Sequence, residues 1–180
     1  MTMTEPVVAS PVAAATAALA EEQWRVATLV QAVEIRRRWT AELDTDARWG
    51  LVRRGHFPQY ASELDWTPRE VVGHLRDSAR VFTDRLRRMT TQDTPRLADF
   101  VPDAADRVAD YRSTPVEVLA DELRTAQAAL LTTIAGLGRD DLDRAGVHEV
   151  DGRITVADLI AFLPAHQRDH ADQPAALLGR

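Results

Sequence analysis

The sequence predicts an all-α protein: a four-helix bundle of up-down-down-up order, with a long crossover between its second and third helices. Three observations carry that expectation. Helix starts are written at Thr67-Pro68-Arg69-Glu70, Thr114-Pro115-Val116-Glu117 and Thr155-Val156-Ala157-Asp158, each with threonine at the N-cap and an acidic residue three positions later. The first two also carry proline at the first helical position, where its missing N–H costs nothing. Behind each start, apolar residues recur at helical spacing. Finally, the stretch from Thr90 to Ser113 is long for a turn between antiparallel neighbours, and a crossover of that length lets the helices on either side run in the same direction.

Taken in order, residues 1–15 are expected to form a flexible tail and residues 16–180 the bundle domain. The apolar part of that tail lacks a cationic start and falls short of the roughly 20 residues needed to cross a bilayer, so a cytoplasmic chain with no membrane contact is expected. A first helix is read over about 16–44 from Trp24, Leu29, Val33, Ile35 and Trp39. The second, 67–89, carries Val71, Leu75, Val81 and Phe82; the third, 114–136, carries Val118, Leu119, Leu123, Leu130 and Ile134. A short extended piece is expected around His148 to Ile154, followed by a fourth helix over 155–173 with Leu159, Ile160 and Leu163. Pro164 lies inside this last helix, where it removes one hydrogen bond and is expected to kink the axis; Pro174 is expected to end or bend its last turn.

Composition narrows the chemistry. At 180 residues the chain can bury one good core. It has no cysteine, so disulfides and cysteine-rich zinc clusters are excluded, and any thiol must come from a ligand. All 22 basic residues are arginine, which excludes a lysine Schiff base, and the net charge of −6 argues against a nonspecific nucleic-acid binder.

The chemistry-bearing pattern is His166 and His170, four residues apart in PAHQRDH, with His74 far upstream in the second helix. Residues four apart share a helix face. If the second and fourth helices run oppositely, His74, roughly 10 Å past its cap, and His166 and His170, roughly 16–22 Å past theirs, reach similar heights in the bundle. Three neutral imidazoles that leave coordination positions open suit a divalent ion. At 100° per residue, Glu70, Asp77, Ser78, Val81 and Arg85 fall near the face of His74, while Leu159, Leu163, His166, His170, Gln173 and Leu177 make one stripe with Asp169 at its margin. Asp77, Asp169 and Gln173 are therefore the candidates for orienting a ligating imidazole, and Arg85 is the candidate contact for an anionic substrate. Glu70 is accounted for as a capping-box residue, Trp66 as a staple or core residue, and His56 and His148 as surface loop residues.

The segment Asp65-Trp66-Thr67-Pro68-Arg69-Glu70-Val71-Val72-Gly73-His74-Leu75-Arg76-Asp77 resembles the W-(T/S)-x-x-E-(V/L)-x-x-H-(L/I)-x-(D/E) pattern of the DinB-like superfamily, and His166-Gln167-Arg168-Asp169-His170-Ala171-Asp172-Gln173 is similar to its closing H-x-x-x-H-x-x-Q. The resemblance spans about residues 20 to 178. It implies a four-helix bundle, often dimeric, with one divalent metal, commonly zinc or nickel, held by the residues that correspond to His74, His166 and His170. Pro164 departs from the Ala- or His-type residue expected at its position. The superfamily includes mycothiol-dependent maleylpyruvate isomerases and bacillithiol or mycothiol S-transferases. The leading expectation is thus a metal-dependent transferase or isomerase that uses a low-molecular-weight thiol such as mycothiol on an electrophilic small molecule. Alternatives are a thiol-independent metal-dependent hydrolase, lyase or isomerase, and a noncatalytic metal- or ligand-binding bundle.

Overall fold

The computed structural model describes residues 10–56 and 61–180. Four long helices form the bundle: α1 (Pro11–Ile35), α3 (Pro68–Thr91), α5 (Val116–Ala135) and α6 (Val156–Leu177). Two short helices, α2 (Thr45–Arg53) and α4 (Ala105–Ser113), and a 3-10 turn at Ala61–Asp65 fill the connections. The boundaries follow local chemistry. Glu70 reaches back to the Thr67 amide at 2.7 Å to start α3, and Thr155 and Asp158 cap α6 reciprocally at 3.1 and 2.9 Å. Ser10 accepts from the Ala13 amide with Pro11 at the first helical position, so α1 begins at Pro11 and residues 11–15, expected in the tail, are helical. The rest of the expected tail, residues 1–9, lies outside the described residues.

Besides a small cluster of Leu43, Leu51 and Leu64, which packs α2 and its neighbouring turns against the end of α6, two apolar clusters are stacked along the bundle and fix the direction of each long helix. One gathers Leu19 of α1, Ala79 to Met89 of α3, Ala126 to Ile134 of α5 and Val156 to Leu163 of α6. The other gathers Val26 to Val33, Val71 to Leu75, Leu119 and Leu123, and Ala171 with Ala175. Helices α1 and α6 therefore pass from the first cluster to the second while α3 and α5 pass from the second to the first. This is the up-down-down-up order. Each fully buried leucine contributes about 1.5–3 kcal/mol against exposure.

The expected first helix, 16–44, ends at Ile35, and residues 36–44 are turns and loop ahead of α2. Arg37 adopts φ 51°, and Asp44 caps a new helix by accepting from the Ala47 amide at 2.8 Å. The crossover is not a plain loop, since it holds strand β1 (Arg96–Leu97) and α4. Strand β1 pairs in parallel with β2 (Ala145–His148), Arg96 opposite Val147 and Leu97 opposite His148. Strand β2 pairs antiparallel with β3 (Gly152–Thr155), whose end is the N-cap of α6. The extended piece expected around His148 to Ile154 is thus the tip and return strand of a hairpin, turned by Gly152 at φ 73°. Helix α6 continues through both Pro164 and Pro174.

Candidate metal centre

Helices α3 and α6 cross with His74, His166 and His170 facing one another. One ring nitrogen from each lies within 4.8 Å of the others, and among the described residues this is the one such cluster of three potential ligands. The His74 Nε2 to His166 Nε2 distance is 3.2 Å. Two nitrogens at about 2.0–2.1 Å from a tetrahedral zinc would stand roughly 3.3 Å apart. His74 and His170 are 2% and 1% exposed, while His166 keeps an edge open to the cleft.

Burial leaves these rings neutral. It pushes His74 well below its ordinary pKa, helped by His170, His166 and Arg107; it pushes His170 down likewise, helped by His166; and it takes His166 to about 4. A neutral imidazole presents a lone pair, which is what a metal ligand requires. The donor set therefore fits a divalent cation: three converging neutral nitrogens, with Nδ1 of His74 buried and lacking a hydrogen-bond partner among the described residues.

The surroundings fix the rings. Nδ1–H of His170 donates to Gln173 Oε1 at 3.1 Å, and Gln173 Nε2 donates to the Glu63 carbonyl at 2.6 Å. That bond sets the tautomer, with the lone pair of His170 on Nε2. Trp66 packs against His74 and His170 with centroid distances of 4.9 and 6.0 Å, and Ser78 Oγ lies 3.2 Å from His74 Nε2.

Of the residues expected to orient a ligating imidazole, Gln173 touches one, while Asp77 and Asp169 do not. Asp77 accepts from Arg76 Nε at 2.8 Å, Tyr111 Oη at 3.0 Å and Arg107 Nη1 at 3.2 Å, on the side of α3 turned to α4. Gly73 makes that contact possible, because a Cβ there would stand 2.3 Å from the Tyr111 ring. Asp169 accepts from His56 Nδ1 at 2.9 Å, and Asp172 meets His56 Nε2 at 3.0 Å. His56 is thus a buried tie between the end of α2 and α6 rather than a surface residue. His148 is also buried: Nδ1 lies 3.3 and 3.2 Å from the Val150 and Asp151 amides and 3.1 Å from Asp151 Oδ2, and Nε2 lies 2.9 Å from Arg85 Nη2.

Sequence reasoning missed Glu63. It is 4% exposed, and its Oε2 lies 3.5 Å from His170 Nε2. Burial, and secondarily Asp103, pushes its carboxyl up to about 8. Its only sequence signal is an acidic residue between Ser62 and Leu64 just ahead of Trp66, and nothing in such a stretch marks a 3-10 turn that carries the side chain inward.

The centre opens onto a cleft of about 450 Å³. Phe82, Phe100, Leu159 and Phe162 supply apolar wall, and Arg85, His148 and Asp169 stand on its polar side. Arg85, the expected anion contact, is in that wall; burial lowers its pKa against the raising influence of Asp99 and Asp151.

With this geometry in hand, the similarity to known proteins has structural meaning. A profile of the DinB superfamily matches residues 10–173. The chain belongs to the DinB superfamily. A relative by sequence is OB0413 of Oceanobacillus iheyensis, whose name assigns it provisionally as a metal-dependent hydrolase; the two are 28% identical over 108 residues, covering 60% of this chain. The match spans 62% of that relative's length. The solved structure of YfiT from Bacillus subtilis, described as a probable metal-dependent hydrolase with an unusual four-helix bundle topology, superposes with a TM-score of 0.72 at 18% identity, covering 98% of this chain and 91% of YfiT. That likeness concerns the fold. No described helix is long and apolar enough to cross a membrane.

Proposed function

We propose that this DinB-superfamily protein is a divalent-metal-dependent enzyme in which a low-molecular-weight thiol of the mycothiol type attacks an electrophilic small molecule, giving S-transfer or isomerisation. The observation that carries the reading is three neutral imidazoles at the inner end of a cleft of about 450 Å³, a volume typical of small-molecule sites. His74, His166 and His170 would hold the ion, with zinc or nickel suited to imidazole donors. When bound, such an ion supplies Lewis acidity, which lowers the pKa of a thiol or of water and polarises a carbonyl.

The remaining work falls to the chain. Gln173 and Trp66 keep His170 and His74 in place, and Phe82, Phe100 and Phe162 limit water around the reacting groups. With no cysteine anywhere, the chain offers no sulfur nucleophile of its own, so a thiol reaction needs a free thiol in the cleft.

A second reading, metal-dependent hydrolysis, is favoured by Glu63. A buried carboxyl raised to about 8 beside the histidines can hold a proton at Oε2 near neutral pH, the property wanted of a general acid or base. The description of OB0413 and YfiT as metal-dependent hydrolases is consistent with it.

The test is turnover by zinc- and nickel-loaded protein of monochlorobimane and maleylpyruvate with mycothiol or bacillithiol, set against hydrolysis of an ester and amide panel without thiol. Thiol-dependent turnover that disappears in His166→Ala supports the first reading. Hydrolysis unaffected by thiol and lost in Glu63→Gln replaces it with the second.

A further inference from the structure

Arg85 is a buried cation whose direct hydrogen-bond partners are a backbone carbonyl and an imidazole. It is 8% exposed, and its Nη2 donates to the Ala98 carbonyl at 2.7 Å and to His148 Nε2 at 2.9 Å. No carboxylate comes within ion-pairing distance of it among the described residues; Asp99 and Asp151 reach only His148, at 3.7 and 3.1 Å. A buried guanidinium without a counter-ion is costly unless an anion completes it. Among the described residues its Nε and Nη1 groups make no hydrogen bond, and neither is one of the enclosed, unsatisfied atoms, so both remain accessible from the cleft that Arg85 lines.

We propose that Arg85 binds the carboxylate of an elongated organic-acid substrate whose reacting end lies at the histidine cluster. The proposal rests on the metal-dependent reading above for the reacting end, but not for the anion contact. Helix geometry sets the span. Arg85 follows His74 by eleven residues, which puts the two on one helix face with roughly 20° of offset and roughly 16 Å of axial separation. Helical side chains lean toward the N-terminus, so the guanidinium is brought back along the cleft and leaves roughly 10 Å to the imidazoles. Between the two ends the cleft is walled by Phe82, Leu159 and Phe162. The ligand class is therefore an acid with an apolar middle section, its carboxylate about 10 Å from the reacting atom.

The guanidinium is also preorganised. Ala98 follows β1 and His148 ends β2, and Leu97 pairs with His148 in the parallel register, so two strands fix the acceptors that aim one side chain. Asp99 and Asp151 are the competing explanation. Their side chains are 41% and 69% exposed, where solvent screens them, whereas Arg85 is enclosed. If they satisfied Arg85 through His148, an added anion would gain nothing.

Two arms test this, one of them independent of metal. In metal-free wild-type protein, 6-phenylhexanoate should shift the Arg85 Nε–H resonance saturably and bind about tenfold more tightly than 6-phenylhexan-1-ol, with the preference gone in Arg85→Met. In zinc-loaded protein, calorimetry should find suberic acid monohydroxamate about tenfold tighter than octanohydroxamate, which has the same length without the carboxylate. Equal effects of acid and alcohol on the wild-type resonance would overturn the anion subsite without recourse to any variant. An acid preference that persists in the metal-free arm, while zinc strengthens neither hydroxamate, would uphold the subsite and sink the metal reading.

Discussion

On the side of α3 turned toward α4 and α5, Arg76 is 5% exposed and gives hydrogen bonds to Asp77, Asp110 and Glu122 at 2.8, 2.6 and 2.9 Å. Two residues earlier on the same helix, His74 is as deeply buried yet meets two more imidazoles and no carboxylate within ion-pairing distance. Every charge in the first cluster has an opposite partner; in the second, three imidazoles turn a ring nitrogen toward one point, and among the described residues no carboxylate pairs with His74 or His166. The difference separates structure from function within one helix turn. Paired groups hold α3, α4 and α5 in register, whereas converging acceptors of one kind make sense through what they bind.

If that separation is right, the two clusters should fail in opposite ways. The largest effect is expected from His166→Ala or His170→Ala: elemental analysis after zinc or nickel reconstitution should fall from about one equivalent to near zero. The stability of the metal-free fold should change little in His166→Ala, whose ring stands half-buried at the cleft edge, and somewhat more in His170→Ala, which takes away the donor to Gln173 Oε1. Arg76→Met should do the reverse. Removing the shared partner of three carboxylates, two of them substantially exposed, should cost about 2–3 kcal/mol in urea unfolding and leave metal stoichiometry intact. A metal-deficient Arg76→Met would break the comparison.

Gln173→Ala is expected to be milder, about tenfold in metal affinity by competition with a chromophoric chelator, since the ligand remains and only its orienting acceptor is lost. The smallest effect is in pH. Asp110 is held below its ordinary value of 3.8, chiefly by its hydrogen bond from Arg76. A carboxylate with a depressed folded pKa contributes stability that is present above the unfolded value and lost as pH falls through the folded one. The acid limb of the wild-type stability profile, from just above pH 3.8 downward, should therefore be steeper than that of Arg76→Met.

The bundle and the centre were legible in the sequence to unequal degrees. Thr67, Pro68 and Glu70, and Thr155 with Asp158, write helix starts in local chemistry, and once the crossover sets the second and fourth helices in opposite directions the helix repeat carries His74, His166 and His170 to one height. Asp77 was misplaced because its role depends on Tyr111, delivered by α4, a helix inside what reads as a connection. Glu63, His56 and His148 were missed or taken as surface for the same reason. Each sits in a turn or at a strand end whose inward direction is set by distant partners: His170, Asp169 with Asp172, and Arg85. The break in the expected first helix escaped notice because Trp39 continues the apolar spacing past Arg37, where the backbone leaves the helical region.

The His74 to His166 approach joins residues 92 positions apart. Closing so long a segment is entropically slow and comes after local helices have formed. The unfolded chain offers an ion only the His166 and His170 pair, and three-point capture arises when α3 and α6 finally dock. An ion would then act as a latch on the finished molecule: it leaves the rate of folding largely untouched and retards unfolding, so that resistance to proteolysis rises with metal supply while the route to the native state stays the same.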